Sequence, residues 1–328
     1  MLDDRHLVVE LRRALDGAAA GVSLGDLRIA AAGLSTAYRD APPTGVVESP
    51  KMDGLAAIAY AATRMPATLA AARAVFQELQ KRCAVLPIET LLDLGAGPAT
   101  TVWAAGSEFP DLTHARLVER DPAMRRLGHT LLEGSSLGDQ VETTWHVGVA
   151  DLPPSPGVYD LVVIGYLLTE LDQDAQREVL DLAWRVCGGA VAIILPGSRR
   201  GFQVMLDARE QLLSCGASVV APCPHTAACP LQSDDWCHFG VRLNRSSLHR
   251  RLKEGVLAYE DEKYCYVVAT RDSGSRASGR VIRRPQSGDR RVTLRVCGAD
   301  GVRDQTVTRG DRAAYRQARK ARWGDAWD

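Results

Sequence analysis

Residues 91–101 read LLDLGAGPATT, and this stretch decides the fold. The apolar run from Ile88 to Leu94 predicts a buried strand, and Gly95–Ala96–Gly97–Pro98 predicts a tight turn into the helix ATTVWAAG. Glycines at such a turn let a ligand approach the backbone, and the start of the helix supplies free N–H groups. The stretch therefore predicts a strand–turn–helix unit of the nucleotide-binding type.

The chain on both sides of this unit alternates between strand-like and helix-like segments. Strands are predicted at 88–94, 114–120, 143–149, 159–166, 189–195, the segment SVVAP and 261–271, and helices from Asp121, over about 173–186 and over 201–215. Such alternation implies right-handed βαβ crossovers and a parallel sheet covered by helices on both faces. We expect residues 261–271 to be the last strand of that sheet.

An N-terminal helical region is predicted over residues 1–84. Two amphipathic helices come first, and a Pro/Gly-rich link, APPTGVVESP, follows at 41–50. Helical periodicity resumes at Met52 and continues to about Arg82, with a break or kink expected at Pro66.

Residues 85–272 are predicted to form the sheet domain, which includes a cysteine-rich loop at 221–240. Residues 273–328 are predicted to form a basic C-terminal β extension with a turn at Ser287–Gly288–Asp289, closed by a short basic helix.

Acidic residues follow the predicted strands at positions that suit an adenosine-containing ligand. Glu119 ends the second strand in LVERDP, where its two carboxylate oxygens can bridge two ribose hydroxyls. Asp151, beyond the next strand, can accept a hydrogen bond from an adenine amino group, whereas Asp121 also suits the N-cap of a helix. The candidate cofactor-binding residues are Asp93, Gly95, Gly97, Glu119, Asp121 and Asp151.

The glycine pattern narrows the choice of cofactor. Thr100 occupies the place of the third glycine in G-x-G-x-x-G, which lowers the odds of NAD, and no G-K-[ST] of a phosphate-binding loop is present. The arrangement resembles class I S-adenosylmethionine (SAM)-dependent methyltransferases, with LLDLGAG as the first motif and VERDP as the second. The resemblance implies a Rossmann-type fold and SAM as cofactor; an inherited fold with an empty or degraded pocket is the alternative.

Catalytic residues are not identifiable from the sequence. Tyr166, Thr169 and Glu170 follow the strand YDLVVIGY, where methyltransferases keep substrate-facing groups. The Asn/Asp-Pro-Pro-aromatic signature of amino-N methylation is absent, and so is the cysteine pair used for carbon methylation of cytosine. An ordinary strand-to-helix connection explains these three residues at least as well.

Three cysteines stand in the polar stretch CPHTAACPLQSDDWCHF, at positions 223, 229 and 237. The spacing lacks the C-x2-C knuckles usual in zinc ribbons, whereas iron–sulfur clusters, generally held by four thiolates, tolerate wider spacing. A fourth thiolate must come from elsewhere, and Cys297 is favoured because it ends a strand in the basic extension. The predicted metal ligands are Cys223, Cys229, Cys237 and Cys297, with a 4Fe–4S cluster favoured; zinc, with His225 or His238 as substitute ligands, and no metal are the alternatives.

The charge balance is uneven along the chain. Residues 271–328 hold 15 Arg and Lys against 7 Asp and Glu, a net of +8, so residues 1–270 sum to −8. A basic tail on an acidic body predicts a polyanionic partner such as nucleic acid, and a solvated tail is the competing explanation. No apolar run reaches the length of a membrane span, no secretory signal is recognisable, and eight cysteines are too few and too unevenly placed for a secreted disulfide scaffold. We therefore expect a cytoplasmic protein with reduced thiols.

Motifs along nearly the whole chain resemble one family, the methyltransferase-like proteins of the small ribosomal subunit, called methyltransferase-like seventeen or Rsm-twenty-two in mitochondria, and their bacterial relatives. The matching stretches are LSTAYRD, AYAATRMPAT, LLDLGAGPAT, LVERDPAM, PGSRRGF, APCPH…CPL…DWCHF, YEDEKYCYVV and YRQARKARWGD. The resemblance implies a SAM-type fold, a 4Fe–4S cluster on the four cysteines, and binding to the small ribosomal subunit during its assembly. One departure is Leu195, where an acidic residue is expected in this family.

Two functions compete on these observations. A ribosome-associated assembly factor, monomeric when free, would use the methyltransferase fold as a scaffold and present arginines such as Arg283, Arg284, Arg290, Arg291 and Arg295 to the phosphates of ribosomal RNA. An active methyltransferase would instead modify that RNA with SAM. A third hypothesis is a redox sensor whose oxidation releases the β extension.

Overall fold

The computed structural model describes residues 4–39, 52–153, 157–231, 235–272 and 274–328. The link predicted at 41–50 lies outside the described residues, as do positions 232–234 of the cysteine-rich loop and position 273. None of the helices within the described ranges is long and apolar enough to cross a membrane.

The elements in chain order begin with four helices and continue into the sheet. The strands of the sheet are β1 (Thr90–Leu94), β2 (His114–Val118), β3 (Glu142–His146), β4 (Tyr159–Gly165), β5 (Cys187–Pro196), β6 (Ser218–Ala221), β7 (Phe239–Asn244) and β8 (Tyr259–Thr270). The helices are α1 (Asp4–Ala18), α2 (Leu24–Arg39), α3 (Gly54–Thr63), α4 (Met65–Arg82), α5 (Thr100–Glu108), α6 (Pro122–Leu132), α7 (Ser136–Gln140), α8 (Gln173–Val186), α9 (Arg199–Ser214), α10 (Ser247–Lys253) and α11 (Arg312–Ala318). Two 3-10 turns lie at Val149–Asp151 and Leu168–Glu170.

The sheet has the order β3-β2-β1-β4-β5-β8-β6, and β7 pairs with the other end of the long strand β8. Strands β1 to β5 are parallel, as predicted, but β8 is antiparallel to β5, β6 and β7. The prediction of a parallel sheet is therefore wrong for β8, because the short connection through α10 turns the chain back beside β7 instead of crossing the sheet. The order confirms the predicted α/β fold of the class I methyltransferase type.

Two apolar cores lie on the two faces of the sheet. Alternate residues of β1 point to opposite faces, so Leu91 belongs to one core, whereas Leu92 and Leu94 belong to the other. Helices α4, α5 and α6 cover the first face, and α8 and α9 cover the second. Leu195, where the family departure lies, is fully buried in the second core, so an apolar side chain fits its place.

The N-terminal helices share the first core. The chain breaks between α3 and α4 at Arg64, two residues before Pro66, which confirms the predicted break. Phe76 and Leu79 of α4 are buried in the same cluster as the sheet residues. The domain boundary predicted at residue 84 remains a prediction.

The C-terminal residues form a second, four-stranded antiparallel sheet from β9 (Gly279–Val281), β10 (Gln286–Gly288), β11 (Arg291–Gly298) and β12 (Gly301–Thr308). Its own core includes Val281, Leu294 and Trp327. Residues 274–328, with α11, are called the C-terminal unit below. Strand β12 was not predicted, and neither were β7 and α10.

A buried arginine joins the C-terminal unit to the rest of the molecule. Arg280 of β9 is 1% exposed, and its Nη2 lies 2.6 Å from Oε1 of Glu78 on α4. Its Nε donates to the carbonyl of Pro222 and its Nη1 to that of Gly324, each at 2.9 Å. Burial opposes ionisation of Glu78, but Arg280 and Arg82 outweigh it and hold the pKa of that carboxyl below its usual range.

Candidate functional site

A cleft opens at the carboxyl ends of β1, β4 and β5, at the point where the strand order reverses. Its walls include Gly95 and Gly97 from the turn, Thr100 at the start of α5, Tyr166 after β4 and Tyr60 of α3. Gly95 and Gly97 have φ of +81° and +53°, the left-handed region in which glycine is favoured. In open α/β sheets ligands bind at such reversal points, so the predicted glycine turn lies where a cofactor would bind.

Glu119 lies against the glycine turn. One of its carboxylate oxygens accepts a hydrogen bond from the N–H of Gly97 and the other accepts from the N–H of Asp121, each at 2.8 Å. Burial raises the pKa of Glu119, although both backbone hydrogen bonds oppose the shift. The structure thus brings Gly97 and Glu119 together, but Glu119 is not among the residues that line the cleft, and its contact with a ribose remains a prediction.

Asp93 lies beneath the turn rather than in the wall of the cleft. It is fully buried, and the Thr101 hydroxyl donates to its Oδ2, whereas its Oδ1 has no hydrogen-bond partner among the described residues. Burial raises the pKa of Asp93 to about 7. Asp93 therefore has a role in ordering the start of α5 through Thr101.

Asp121 and Asp151 serve as local caps in this structure. Asp121 caps α6 by accepting from the N–H groups of Ala123 and Met124 at 2.8 and 3.1 Å. Asp151 accepts from the N–H of Gly148 at 2.9 Å in the turn after β3. Neither residue is among those that line the cleft. Their predicted contact with a cofactor remains a prediction.

A polar network fills the side of the cleft next to β4. Tyr166 has a φ of +60°, and its hydroxyl donates to Oε1 of Glu262 at 3.1 Å. The same carboxylate oxygen lies 3.6 Å from Nη2 of Arg64. Burial raises the pKa of the neighbouring Tyr60 to about 12. Sequence reasoning found Tyr166 but missed Tyr60, Arg64 and Glu262, because they come from α3, its end and β8.

Thr169 and Glu170, the other two candidates beside Tyr166, are placed in a 3-10 turn outside the lining of the cleft. The carbonyl of Thr169 accepts from Nη2 of Arg200 at 2.9 Å. This contact anchors the turn to the beginning of α9, as expected if these residues belong to an ordinary strand-to-helix connection.

The four predicted metal ligands line one cavity. The loop leaves the sheet after β6 and rejoins it as β7, on the same edge of β8, so Cys223, Cys229 and Cys237 face the side of that strand. Cys297 of β11 closes the cavity from the C-terminal unit, and its Sγ lies 3.7 Å from Nε2 of His225. Cys265 of β8 also lines the cavity, but its thiol is directed to the carbonyl of Pro196 at 3.4 Å.

Burial governs the protonation of these thiols. It raises the pKa of Cys223, raises that of Cys237 well above its usual value, and raises that of Cys297 to about 12. The neighbouring Arg209 opposes the shift at Cys223 and Cys297. Cys223, Cys237 and Cys297 are therefore protonated at neutral pH, and binding of a metal to them would release protons.

The donor set suits a thiolate-bound metal group. Five thiols, those of the four predicted ligands and of Cys265, line the cavity with two arginines, Arg209 and Arg280, and no carboxylate is among its lining residues. Within the part of the chain that the structure describes, no group of three or more His, Cys, Asp or Glu side chains is arranged to hold a metal ion. Metal binding by Cys223, Cys229, Cys237 and Cys297 remains a prediction.

The arginines of the C-terminal unit divide into two groups. Arg283 pairs with Asp235 of the cysteine-rich loop, and Arg295 lies 3.8 Å from Asp235 and 3.4 Å from Asp304. These two arginines hold the unit to the loop, and their predicted contact with phosphates remains a prediction. The exposed basic residues of the unit are Arg276, Arg284, Arg290, Arg291, Arg303, Arg309, Arg312, Arg316, Arg319, Lys320 and Arg322.

Comparison of the sequence with known families and proteins gives concordant matches. The family model described as "Mitochondrial small ribosomal subunit Rsm22" matches residues 54–328. The human "Ribosome assembly protein METTL17, mitochondrial" is 30% identical, over 83% of this chain and 62% of its own length. The "Rsm22-cox11 tandem protein 2, mitochondrial" of Schizosaccharomyces pombe is 25% identical, over 72% of this chain and 38% of its own length. The chain thus spans less than two thirds of either relative.

Solved structures of methyltransferases are similar at a lower level. The magnesium protoporphyrin IX methyltransferase of Synechocystis PCC 6803 with bound SAM matches with a TM-score of 0.42 and 14% identity, over 77% of this chain and all of that chain. An O-methyltransferase family protein from Burkholderia thailandensis has a TM-score of 0.42 and 15% identity, over 68% of this chain and 61% of that one. Neither likeness bears on what this chain binds.

Proposed function

Because the chain belongs to the Rsm22 family, we propose that it acts as an assembly factor of the small ribosomal subunit. The observation that carries the proposal is the extent of the family match, which includes the sheet, the cysteine cavity and the C-terminal unit together. A relative named as a ribosome assembly protein aligns with 83% of the chain. We further propose that the free chain is a monomer in a compartment that keeps thiols reduced, such as the cytoplasm.

The exposed arginines of the C-terminal unit are proposed to bind phosphates of ribosomal RNA. Co-sedimentation with small ribosomal subunits at increasing salt tests this, with Arg284, Arg290 and Arg291 all changed to Glu. We expect weaker binding and a shallower dependence on salt, by about 1 unit of slope for each phosphate that is no longer neutralised. The control carries the same charge change on exposed arginines of the sheet domain, Arg126, Arg177 and Arg185. Equally weakened binding in both variants would mean that net charge, not this surface, determines binding.

SAM is proposed as the ligand of the cleft, with Gly95, Gly97 and Glu119 as its principal contacts. The support is the left-handed glycine turn and the carboxylate of Glu119 beside it. Calorimetric titration of the wild type with SAM should give saturable heat, and Gly97→Arg should abolish it. Gly134→Arg is the matched control, because Gly134 also has a positive φ and open space around it. Absence of heat with the wild type would refute the cofactor.

Binding without methyl transfer is favoured over an active RNA methyltransferase. Tyr166 lines the cleft after β4 and is held by Glu262, which pairs with Arg64, and we propose that this network restricts the approach of a methyl acceptor. Incubation with radiolabelled SAM and immature small subunits should therefore leave the RNA unlabelled. Labelled RNA that depends on Gly97 would establish the enzyme instead.

The cysteine cavity is proposed to hold a 4Fe–4S cluster on Cys223, Cys229, Cys237 and Cys297, with zinc as the alternative. When bound, the cluster would supply a four-thiolate cross-link between the loop and β11 and a one-electron centre. Anaerobic purification should yield about four irons and four sulfides per chain. Cys297→Ala should lose them, whereas Cys215→Ala, which alters an exposed thiol, should not. Stoichiometric zinc without sulfide would support the alternative, and neither metal would refute the site.

A further inference from the structure

A second buried arginine faces the cysteine cavity, and its hydrogen-bond partners differ from those of Arg280. Arg209 of α9 is 5% exposed and lines the cavity with the four cysteines. Its Nη2 donates to the carbonyls of His225 and Ala227, each at 2.9 Å. Arg209 therefore holds the backbone of the segment that lies between Cys223 and Cys229.

The charge of Arg209 is left without a counter-charge. Arg280 is neutralised by Glu78 at 2.6 Å, whereas Arg209 donates to the two carbonyl oxygens and also interacts with the thiol of Cys223. No carboxylate of the described residues forms an ion pair with it, and its buried Nε has no hydrogen-bond partner among them. Burying a charge without a partner costs on the order of several kcal/mol. A compensating anion is therefore expected in the cavity.

Four thiolates around an iron–sulfur core or a zinc ion leave the group with a net negative charge. That group would be the missing counter-charge, in the cavity that Arg209 already lines. We propose that Arg209 is a positioning residue that compensates the charge of the thiolate-bound metal group and holds the Cys223–Cys229 segment in place to bind it. This inference rests on the proposed metal site and adds to it a residue that is not a ligand.

The two roles have different consequences. A nearby cation stabilises the more negative, reduced state of a redox centre, so removal of the charge lowers the reduction potential. Removal of the two carbonyl hydrogen bonds frees the segment between two ligands, so the metal should leave faster. Arg209→Met removes both contributions with similar side-chain length. Arg209→Lys keeps the charge but replaces the forked guanidinium with a single ammonium.

The test compares the full-length wild type, Arg209→Met, Arg209→Lys and Arg185→Met, all purified without oxygen. Arg185 is exposed on α8 and serves as the control for removal of an arginine. Iron and sulfide per chain, the midpoint potential from an EPR-monitored redox titration, and the rate of bleaching in air are measured for each. Circular dichroism establishes that each variant is folded.

We expect Arg209→Met to have a lower midpoint potential and to lose iron several-fold faster than the wild type. Arg209→Lys should keep a potential close to that of the wild type but lose iron faster, and Arg185→Met should change neither. A folded Arg209→Met that binds no iron supports the positioning role, and in that case the midpoint potential is compared between Arg209→Lys and the wild type. Unchanged potential and iron loss in Arg209→Met, or a lowered potential in Arg209→Lys, would overturn the inference while leaving the cluster intact. A wild type without metal would refute the cluster itself and the inference with it.

Discussion

Arg280→Met removes the principal buried contact between the C-terminal unit and α4. The side chain is 1% exposed and makes one ion pair and two hydrogen bonds to carbonyls. Glu78 keeps Arg82 at 2.9 Å, so its charge is not orphaned. The cost of about 3–5 kcal/mol for breaking a buried ion pair arises from an uncompensated charge and does not apply here, so the loss comes mainly from the two carbonyls that lose their partner, at about 1–3 kcal/mol each. We therefore expect the free energy of unfolding to fall by about 3 kcal/mol.

Urea unfolding followed by circular dichroism at pH 7 measures this change. Arg284→Met is the matched control, because Arg284 is exposed on the same unit and surface substitutions usually change stability by less than about 0.5 kcal/mol. The double variant Glu78→Leu, Arg280→Met should be more stable than the sum of the two single changes predicts, since Glu78→Leu alone leaves the buried Arg280 without a counter-charge and the double variant does not. A decrease below about 1 kcal/mol for Arg280→Met would refute the reasoning, since each of its steps rests on a buried contact.

The same pair predicts a pH dependence. The pKa of Glu78 is lower in the folded chain than its usual value of 4.5, so the pair contributes stability above pH 4.5 that is lost as the pH falls toward the folded pKa. Arg280→Met should therefore approach the wild type in stability below pH 4.5. A difference between the two that is the same at about pH 7 and about pH 3.5 would contradict the assignment to Glu78.

Three further predictions concern the cleft. The pKa of Asp93 is 3.8 in the unfolded chain and about 7 in the folded chain, so the wild type loses stability as the pH rises from 3.8 toward about 7. Asp93→Asn should therefore be more stable than the wild type at about pH 8 and closer to it at about pH 4, as measured by urea unfolding. Glu119→Gln has one acceptor oxygen for two backbone N–H groups, so it should be less stable by about 1–3 kcal/mol and bind SAM more weakly in calorimetry; unchanged affinity would exclude Glu119 as a ligand. Tyr166→Gly relieves a left-handed backbone conformation but removes the hydrogen bond to Glu262. A gain in methyl transfer would show that Tyr166 blocks access of the methyl acceptor to the cleft, and no gain would show that other residues block it.

The main sheet could be predicted because its strands are recognisable from the local sequence. The runs around Val162 and Val191 are continuously apolar, and the run around Leu91 is apolar except for Thr90 and Asp93, which is typical of strands buried on both faces. Strand β7, FGVRLN, is missed because it alternates apolar with polar residues over only six positions at an edge of the sheet. Helix α10 spans seven residues, so its periodicity is too short to detect, although Ser246 is an identifiable N-cap.

The parts of the candidate site that follow from local sequence could be predicted, whereas contacts between segments that are distant in the chain could not. The glycine turn and Glu119 follow from adjacent strand ends, and the choice of Cys297 followed from its strand-end position in the basic extension. Arg209 could not be found, because an arginine in an amphipathic helix is ordinarily a solvent-facing residue. The pairing of Arg283 with Asp235 could not be predicted either, because it depends on tertiary contact alone.

The cavity has a consequence for the order in which the chain is made. Three of the four predicted ligands are present once the ribosome has synthesised β7, but the fourth, Cys297, belongs to β11. A domain folds from its N-terminus as it emerges, so the nascent sheet domain passes through a state in which Cys223, Cys229 and Cys237 lack the wall that Cys297 provides. Completion of the cavity therefore reports that translation has passed residue 297, and a group that needs all four predicted ligands can bind only after that point.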